Sequence, residues 1–168
     1  MKLCLAIEVL HNMFLMHDDI EDGDTVRRDQ PTVWVKYGTA NAINAGDYLL
    51  ACAYKSTLAS PVAPEKRLKL LEALTLTYGK TVEGQALDIN ARAAESFTVA
   101  AYMKMVELKT GYYLACGMVG GAIVAGASNE VVEKIWMLGK NMGPAFQIRD
   151  DLIDLTHGKG RGGVIVLI

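Results

Sequence analysis

The chain has 168 residues, of which 51% are hydrophobic, and its 17 basic and 19 acidic side chains leave a formal charge of −2. This apolar content excludes an intrinsically disordered chain, and the lack of a basic excess argues against nucleic-acid binding. The three cysteines, Cys4, Cys52 and Cys116, are too widely spaced for a disulfide framework or a zinc site, so we expect a reducing, cytoplasmic location.

Helical periodicity runs through most of the chain, and strand-like alternation of useful length is lacking. The sequence predicts five helices, at 1–21, 39–59, 64 to about 93, 97–127 and 128 to about 156, with a polar loop at 22–31. Pro61 and Pro64 separate the second helix from the third, and Ser128 is predicted to cap the fifth. We therefore expect an all-α fold, an incomplete antiparallel helix bundle that forms a single partial domain over residues 1–168.

Two apolar segments raise the question of a membrane or export signal. Glu8 interrupts the apolar run at 1–16, and no small-residue cleavage site follows it, which argues against a signal peptide. Residues 110–129 carry no charge and include Gly117 and Gly121 at the spacing of membrane-helix dimers. A membrane span and a buried central helix both fit this run, and its glycines and tyrosines favour the buried helix.

Two aspartate-rich clusters, residues 18–22 and 150–154, lie at or near the ends of predicted helices. Residues four apart share a helix face at about 5–6 Å, so each cluster presents two carboxylates in one direction. Without neighbouring histidine or cysteine ligands, such carboxylates suit Mg²⁺, which shares its coordination sphere with phosphates. The candidate metal ligands are Asp18, Asp19, Asp22, Asp150, Asp151 and Asp154. The alternative is that both clusters are solvated helix ends.

Cationic side chains follow both aspartate-rich clusters, and one more precedes the uncharged run at 110–129. Arg27 and Arg28 come after the first cluster, and Lys159 and Arg161 come after the second. Lys109 directly precedes the uncharged run. Each of these side chains alone is typical of a protein surface, but together they would surround a metal-bound polyanion.

Four motifs in the correct order resemble the class I trans-isoprenyl diphosphate synthases, also called polyprenyl synthetases, over residues 1–163. The first aspartate-rich motif begins at His17 and ends with Arg27-Arg28. It is followed by Gly84-Gln85-x-x-Asp88, by Lys109-Thr110-Gly111, and by Gly143-Pro144-Ala145-Phe146-Gln147-Ile148-Arg149 leading into Asp150-Asp151-Leu152-Ile153-Asp154. The resemblance implies an isoprenoid-synthase-like fold that pairs as a homodimer.

The resemblance implies a prenyltransferase that condenses an allylic diphosphate with isopentenyl diphosphate into a short or medium trans-prenyl diphosphate of the farnesyl or geranylgeranyl type. Asp18, Asp22 and Asp150 would bind three Mg²⁺ ions and, with Lys109, form the catalytic set. The implied substrate-binding residues are Arg27, Arg28, Lys109, Thr110, Gln147 and Lys159. Arg28 would face isopentenyl diphosphate, and Arg27, Lys109, Gln147 and Lys159 would contact the allylic diphosphate.

Product length can be related to the first helix. Phe14 lies one helical turn before Asp18, with Met13 beside it. A phenyl ring at this position is a candidate floor for the growing chain, and the alternative is that Phe14 is an ordinary core residue.

The sequence also departs from the family pattern. The upstream Gly-Lys-x-x-Arg motif and the Ile-Gly-x-Asp continuation have no counterpart, and Asp29 occupies a position that is commonly glycine. One alternative is therefore a non-catalytic or partner-dependent fragment that keeps only the metal-diphosphate half-site and associates with a complementing helical subunit. A terpene cyclase shares the first cluster, but the Asp-rich second cluster disfavours that interpretation.

Overall fold

The computed structural model describes residues 2–94 and 96–157 of the chain. Its helices are α1 (Lys2–Glu21), α2 (Val33–Tyr37), α3 (Thr39–Leu58), α4 (Pro64–Ala91), α5 (Val99–Val106), α6 (Tyr112–Ala125) and α7 (Asn129–His157). A π-helical turn, Glu107–Gly111, joins α5 to α6, and two short strands, β1 (Val26–Arg27) and β2 (Gln30–Pro31), pair antiparallel. The predicted all-α fold is confirmed.

The described residues divide into two compact units, unit 1 up to Pro61 and unit 2 from Val62 to His157. Each unit contains antiparallel helices, as the sequence predicts, with an apolar core of its own. The assignment of residues 1–168 to a single partial domain stays a prediction.

In unit 1, α1 packs antiparallel against α3. The Ser56 hydroxyl donates a hydrogen bond to the Lys2 carbonyl at 2.8 Å, so the start of α1 lies beside the end of α3. At the opposite end, His17 Nε2 lies 3.4 Å from the Ile43 carbonyl oxygen. The helices bury residues at helical spacing, and these form the core of the unit: Ala6, Leu10 and Met13 on α1 with Ala42 and Ala53 on α3.

The segment after α1 is more ordered than the predicted polar loop. Instead of an irregular loop over 22–31, the chain forms the β1–β2 hairpin and then the short helix α2. The Asp24 carbonyl holds this segment, because it accepts hydrogen bonds from Thr32 Oγ1 at 2.9 Å and Trp34 Nε1 at 2.8 Å. These contacts join residues 8 and 10 positions apart, which is more than one helical turn, so helical periodicity and turn residues do not predict them.

In unit 2, α4, α6 and α7 form an antiparallel set. Lys66, near the start of α4, donates to the Val124 carbonyl near the end of α6 at 2.7 Å. The rings of Tyr112 on α6 and Trp136 on α7 lie 5.6 Å apart between centroids. The predicted cap of α7 is confirmed, since Ser128 Oγ accepts a hydrogen bond from the Val131 backbone amide at 3.4 Å.

The helix predicted over 97–127 is observed from Val99 to Ala125, but it is not α-helical throughout. The structure divides this stretch into α5, the π-helical turn Glu107–Gly111, and α6. A π-helical turn inserts one extra residue into a helix and shifts the side-chain register beyond it. Periodicity cannot predict such an insertion when apolar residues continue on both sides of it.

Unit 2 brings backbones together at glycines. A Cβ added at Gly139 would lie 2.4 Å from the Ala115 Cβ, and one at Gly143 would lie 2.5 Å from the Gly111 Cα. The glycine pair that makes the close α6–α7 contact is therefore Gly139 and Gly143. The pair noted in the sequence does not serve this purpose, since Gly121 has nothing within 4 Å of an added Cβ.

Within residues 2–94 and 96–157, no helix combines the length and apolarity that crossing a membrane requires. All three cysteines are free thiols: Cys4 is exposed, Cys52 is half-buried and Cys116 is buried.

Two matched substitutions test the glycine contacts of unit 2. Gly139→Ala is expected to lower the free energy of unfolding by about 1–3 kcal/mol, because the added methyl group meets the Ala115 side chain and the Gly111 carbonyl oxygen. Gly121→Ala makes the same change in α6 in open space and should raise it by about 0.5–1 kcal/mol. Urea denaturation followed by circular dichroism measures both, and equal effects would contradict the packing described here.

Candidate active site

The carboxylate end of α1 holds the first aspartate-rich cluster. The Asp22 backbone amide donates to the Asp18 carbonyl at 2.8 Å, so the helical geometry continues to Asp22 and both side chains lie on one face. Gly23, with φ +69°, then ends the helix, and the Asp24 amide bonds back to the Asp19 carbonyl at 2.9 Å. The chain therefore leaves the helix directly after its second facing carboxylate.

Arg27 is bound by several carboxylates of unit 1. Its Nε donates to Asp19 Oδ1 at 2.6 Å, while its Nη2 lies 3.4 Å from Asp18 Oδ2 and 3.7 Å from Asp24 Oδ2. The Asp19 side chain is only 6% exposed, so its charge needs this partner. Arg27 thus lies beside the first cluster, as predicted, but in this structure it neutralises carboxylates. The role of Asp19 as a metal ligand stays a prediction.

The turn between β1 and β2 places two non-glycine residues in the left-handed region. Arg28 has φ +53° and Asp29 has φ +60°, and they are the central residues of a two-residue hairpin loop. Such type I′ loops favour asparagine or aspartate followed by glycine. The preference for glycine at position 29 therefore has a conformational cause, and Asp29 adds a charge beside the arginine pair.

His17 anchors the carboxylate end of α1 to α3. Its Nε2 lies 3.4 Å from the Ile43 carbonyl oxygen and 3.8 Å from Asp47 Oδ1. The ring lies against Gly46, where a Cβ would come within 2.1 Å of Nε2. The sequence motifs do not predict this contact, and its one available signal is the glycine inside a predicted helix.

In unit 2, the π-helical turn directs Lys109 and Thr110 toward neighbouring helices. The Lys109 ammonium pairs with the Asp88 carboxylate on α4, and Thr110 Oγ1 donates to Gln147 Oε1 on α7 at 3.2 Å. Lys109 and Thr110 from one predicted motif thus come together with Gln147 from another within one unit. Asp88 belongs to the Gly84-Gln85-x-x-Asp88 motif, for which the sequence indicated no role.

The second aspartate-rich cluster lies on α7. Asp150 is half-buried and follows Gln147 by three residues, so both lie on the same side of the helix. The side chains of Asp151 and Asp154, like the whole of Lys159, fall outside the described part of the chain, and their predicted roles stay predictions.

The residues predicted to set product length lie on α1. Met13 is 1% exposed and belongs to the core of unit 1, while Phe14 is half-buried. Phe14 precedes Asp18 by one helical turn and therefore shares its face. Its role as a floor for the product stays a prediction.

The donor groups fit a hard divalent cation that is shared with a substrate. Among the described residues, no group of three or more aspartate, glutamate, histidine or cysteine side chains could hold a metal ion by itself. The first cluster instead offers the paired carboxylates of Asp18 and Asp22, Asp150 adds a half-buried carboxylate on α7, and the imidazole of His17 is engaged on α3. Mg²⁺ commonly accepts such a partial set, because water and phosphate oxygens complete its octahedral sphere.

The chain matches the family model for polyprenyl synthetase over residues 1–163. It is 39% identical over 163 residues to a geranylgeranyl diphosphate synthase of Methanosarcina mazei, covering 94% of this chain and 50% of that protein. The solved geranylgeranyl pyrophosphate synthetase from Pyrococcus horikoshii is 37% identical with a TM-score of 0.86, covering 93% of this chain and 48% of that chain.

A Helicobacter pylori geranyltransferase, solved in complex with magnesium and isoprenyl diphosphate, has a TM-score of 0.86 at 27% identity, covering 93% of this chain and 53% of that one. The chain spans about half the length of the curated relatives it matches.

The strained turn at Arg28 and Asp29 leads to a prediction for stability. Asp29→Gly is expected to raise the free energy of unfolding by up to about 1 kcal/mol, because glycine adopts φ +60° without a steric penalty. Asp29→Asn is the matched control, since it removes the same charge but keeps a Cβ in the left-handed region. Thermal melts of both variants separate the backbone effect from the charge effect, and an equal gain in both would contradict the strain argument.

The burial of His11 leads us to expect that folding stability depends on pH. Burial lowers the pKa of His11 below its ordinary value of 6.5; Glu8 opposes this shift, and Arg28 and Arg27 add to it. Below about pH 6.5 the unfolded chain therefore binds the proton more readily than the folded protein, so stability falls as the pH drops through this range. His11→Gln should show a smaller decrease in melting temperature than wild type between about pH 7.5 and 5.5. Parallel slopes in the two proteins would contradict it.

Proposed function

Because this chain belongs to the polyprenyl synthetase family, we propose that it is a trans-prenyltransferase that joins an allylic diphosphate to isopentenyl diphosphate. The observation that carries the proposal is the convergence in unit 2 of Lys109 and Thr110 with Gln147, three residues before the half-buried Asp150. A lysine, two neutral hydrogen-bonding side chains and a carboxylate are the groups that a metal-bound diphosphate requires.

The resemblance to the family supports Asp18, Asp22 and Asp150 as the carboxylates that would bind Mg²⁺ and the allylic diphosphate, with three ions as the expected number. When bound, Mg²⁺ acts as a Lewis acid that stabilises the charge developing on the departing diphosphate. The carboxylate-only donor set supports this metal over zinc, and a Helicobacter pylori relative was solved with magnesium and isoprenyl diphosphate.

The remaining polar residues bind and orient the two substrates. Lys109 and Gln147 would contact the allylic diphosphate, joined by Lys159, and Thr110 orients Gln147 through their hydrogen bond. Arg27 would exchange one of its carboxylate partners for phosphate oxygens, and the exposed Arg28 would bind the diphosphate of isopentenyl diphosphate.

Loss of diphosphate leaves an allylic cation, which the double bond of isopentenyl diphosphate attacks before a proton is lost. Water would quench this cation, so the reaction needs an apolar surface beside the carboxylates. Phe14, on the face of α1 that carries Asp18, supplies such a surface and is the residue we assign to limiting the product to the farnesyl or geranylgeranyl range.

A second candidate is a fragment whose activity depends on a partner chain, either a second copy or a complementing helical subunit. It is favoured by the many large apolar side chains that remain exposed on α7: Val131, Met137, Leu138, Met142, Phe146, Ile148, Leu152 and Ile153. We place either form in the cytoplasm, in accord with three free thiols.

The purified chain, incubated with Mg²⁺, radiolabelled isopentenyl diphosphate and dimethylallyl, geranyl or farnesyl diphosphate, should yield a longer prenyl diphosphate. Asp18→Asn and Asp150→Asn are each expected to lower the rate by about 100-fold or more, because stabilisation of the leaving group is lost. Glu133→Gln is the matched control on α7, since it neutralises an exposed carboxylate of the same helix.

Chelation with EDTA should also abolish product formation. Activity that appears only after a complementing helical chain is added would favour the second candidate. Failure of every starter, with and without such a chain, would contradict the proposed prenyl transfer.

A further inference from the structure

Asp88 is a buried carboxylate with an unusual set of partners. The residue lies on α4 and is 5% exposed. Its Oδ2 pairs with the Lys109 ammonium and lies 3.6 Å from Arg92 Nη2. Its Oδ1 is buried and accepts no hydrogen bond from any of the described residues. Burying an ionised carboxylate costs free energy. A residue that only filled space at this position would not need to be acidic.

The backbone around Lys109 is held from the same face of α4. A Cβ at Gly84 would lie 2.2 Å from the Lys109 amide nitrogen, so only glycine allows this approach. Gly84 and Asp88 are four residues apart and therefore face the same way. One face of α4 thus holds the main chain of Lys109 through Gly84 and its side chain through Asp88.

The sign of the charge argues against a simple electrostatic benefit. A carboxylate beside Lys109 weakens the attraction of that lysine for an anion, which is the opposite of what a diphosphate site needs. The benefit that remains is geometric. A lysine carries its charge on a flexible four-carbon stem, and holding it in one conformation before binding removes part of the entropy that binding would otherwise cost.

We propose that Asp88 is a positioning residue of the diphosphate site, acting through Lys109. The inference rests on the proposed function and adds to it a role for the Gly84-Gln85-x-x-Asp88 motif. In this role Asp88 acts through its ion pair with Lys109 rather than as a ligand of substrate or metal. It holds the Lys109 ammonium at the π-helical turn. The residue after Lys109 in this turn, Thr110, donates a hydrogen bond to Gln147.

The test measures binding of inorganic diphosphate to the full chain by calorimetry, with and without Mg²⁺. Asp88→Ala is expected to weaken binding about 10-fold, although it removes a negative charge, because the lysine loses its fixed position. Asp88→Asn keeps an oxygen that can accept from the ammonium, so its affinity should stay within about threefold of wild type. If Asp88 only neutralised the charge of Lys109, both variants would bind diphosphate more tightly than wild type. That result would overturn the proposal.

A double-mutant cycle separates positioning from a general structural effect. Lys109→Met should weaken binding, and adding Asp88→Ala to it should cause no further loss, because the residue acts only through Lys109. Additive losses would overturn the proposal. Glu83→Ala, which removes an exposed carboxylate of the same helix, is the control and should bind like wild type.

Circular dichroism establishes whether each variant folds. If Asp88→Ala does not fold, Asp88→Glu provides the comparison: it keeps the charge but displaces the ammonium by one methylene, so binding should weaken, and wild-type affinity would overturn the proposal. Lack of binding by the wild-type chain would remove the proposed function and this inference with it. Normal binding by wild type and by Asp88→Ala alike would overturn the inference alone.

Discussion

Unit 2 depends on close backbone contact at glycines. Gly84 lets α4 touch the backbone of Lys109, and Gly143 lets α7 touch Gly111, so the π-helical turn is bounded by glycine contacts on two sides. A side chain at either glycine would collide with main-chain atoms, which cannot move aside as a flexible side chain can. The turn in that position directs Lys109 and Thr110 toward α4 and α7, and the candidate site of the unit follows from it.

Both units pair acidic side chains on largely apolar helices with cationic partners. In unit 1 the single guanidinium of Arg27 lies within 3.7 Å of carboxylates from Asp18, Asp19 and Asp24. In unit 2 the buried Asp88 is matched by two cations. Buried carboxylates require such partners because their own desolvation is costly. Arg27 and Lys109 are also cations that we propose to bind diphosphate, so these ion pairs would hold the proposed binding groups in place.

The elements that the sequence predicts are those whose signal is local and repeats. The long helices at 1–21, 39–59 and 64 to about 93 were predicted to within about two residues, because apolar periodicity and proline positions determine them. The β1–β2 hairpin, α2 and the π-helical turn were not predicted. The hairpin and α2 are held by hydrogen bonds that reach beyond one helical turn, such as the two donors on the Asp24 carbonyl, and periodicity does not record such contacts.

The sequence by itself determined the helical class, because apolar periodicity follows directly from helix geometry, and its four motifs in order resemble those of the polyprenyl synthetases. Only the tertiary structure decided which groups pair with which: Arg27 with Asp19, Lys109 with Asp88, and His17 against Gly46. These partners are separated by 8 residues in the first pair and 21 in the second. Such contacts form only when packing brings distant backbones together, and no local rule encodes that distance.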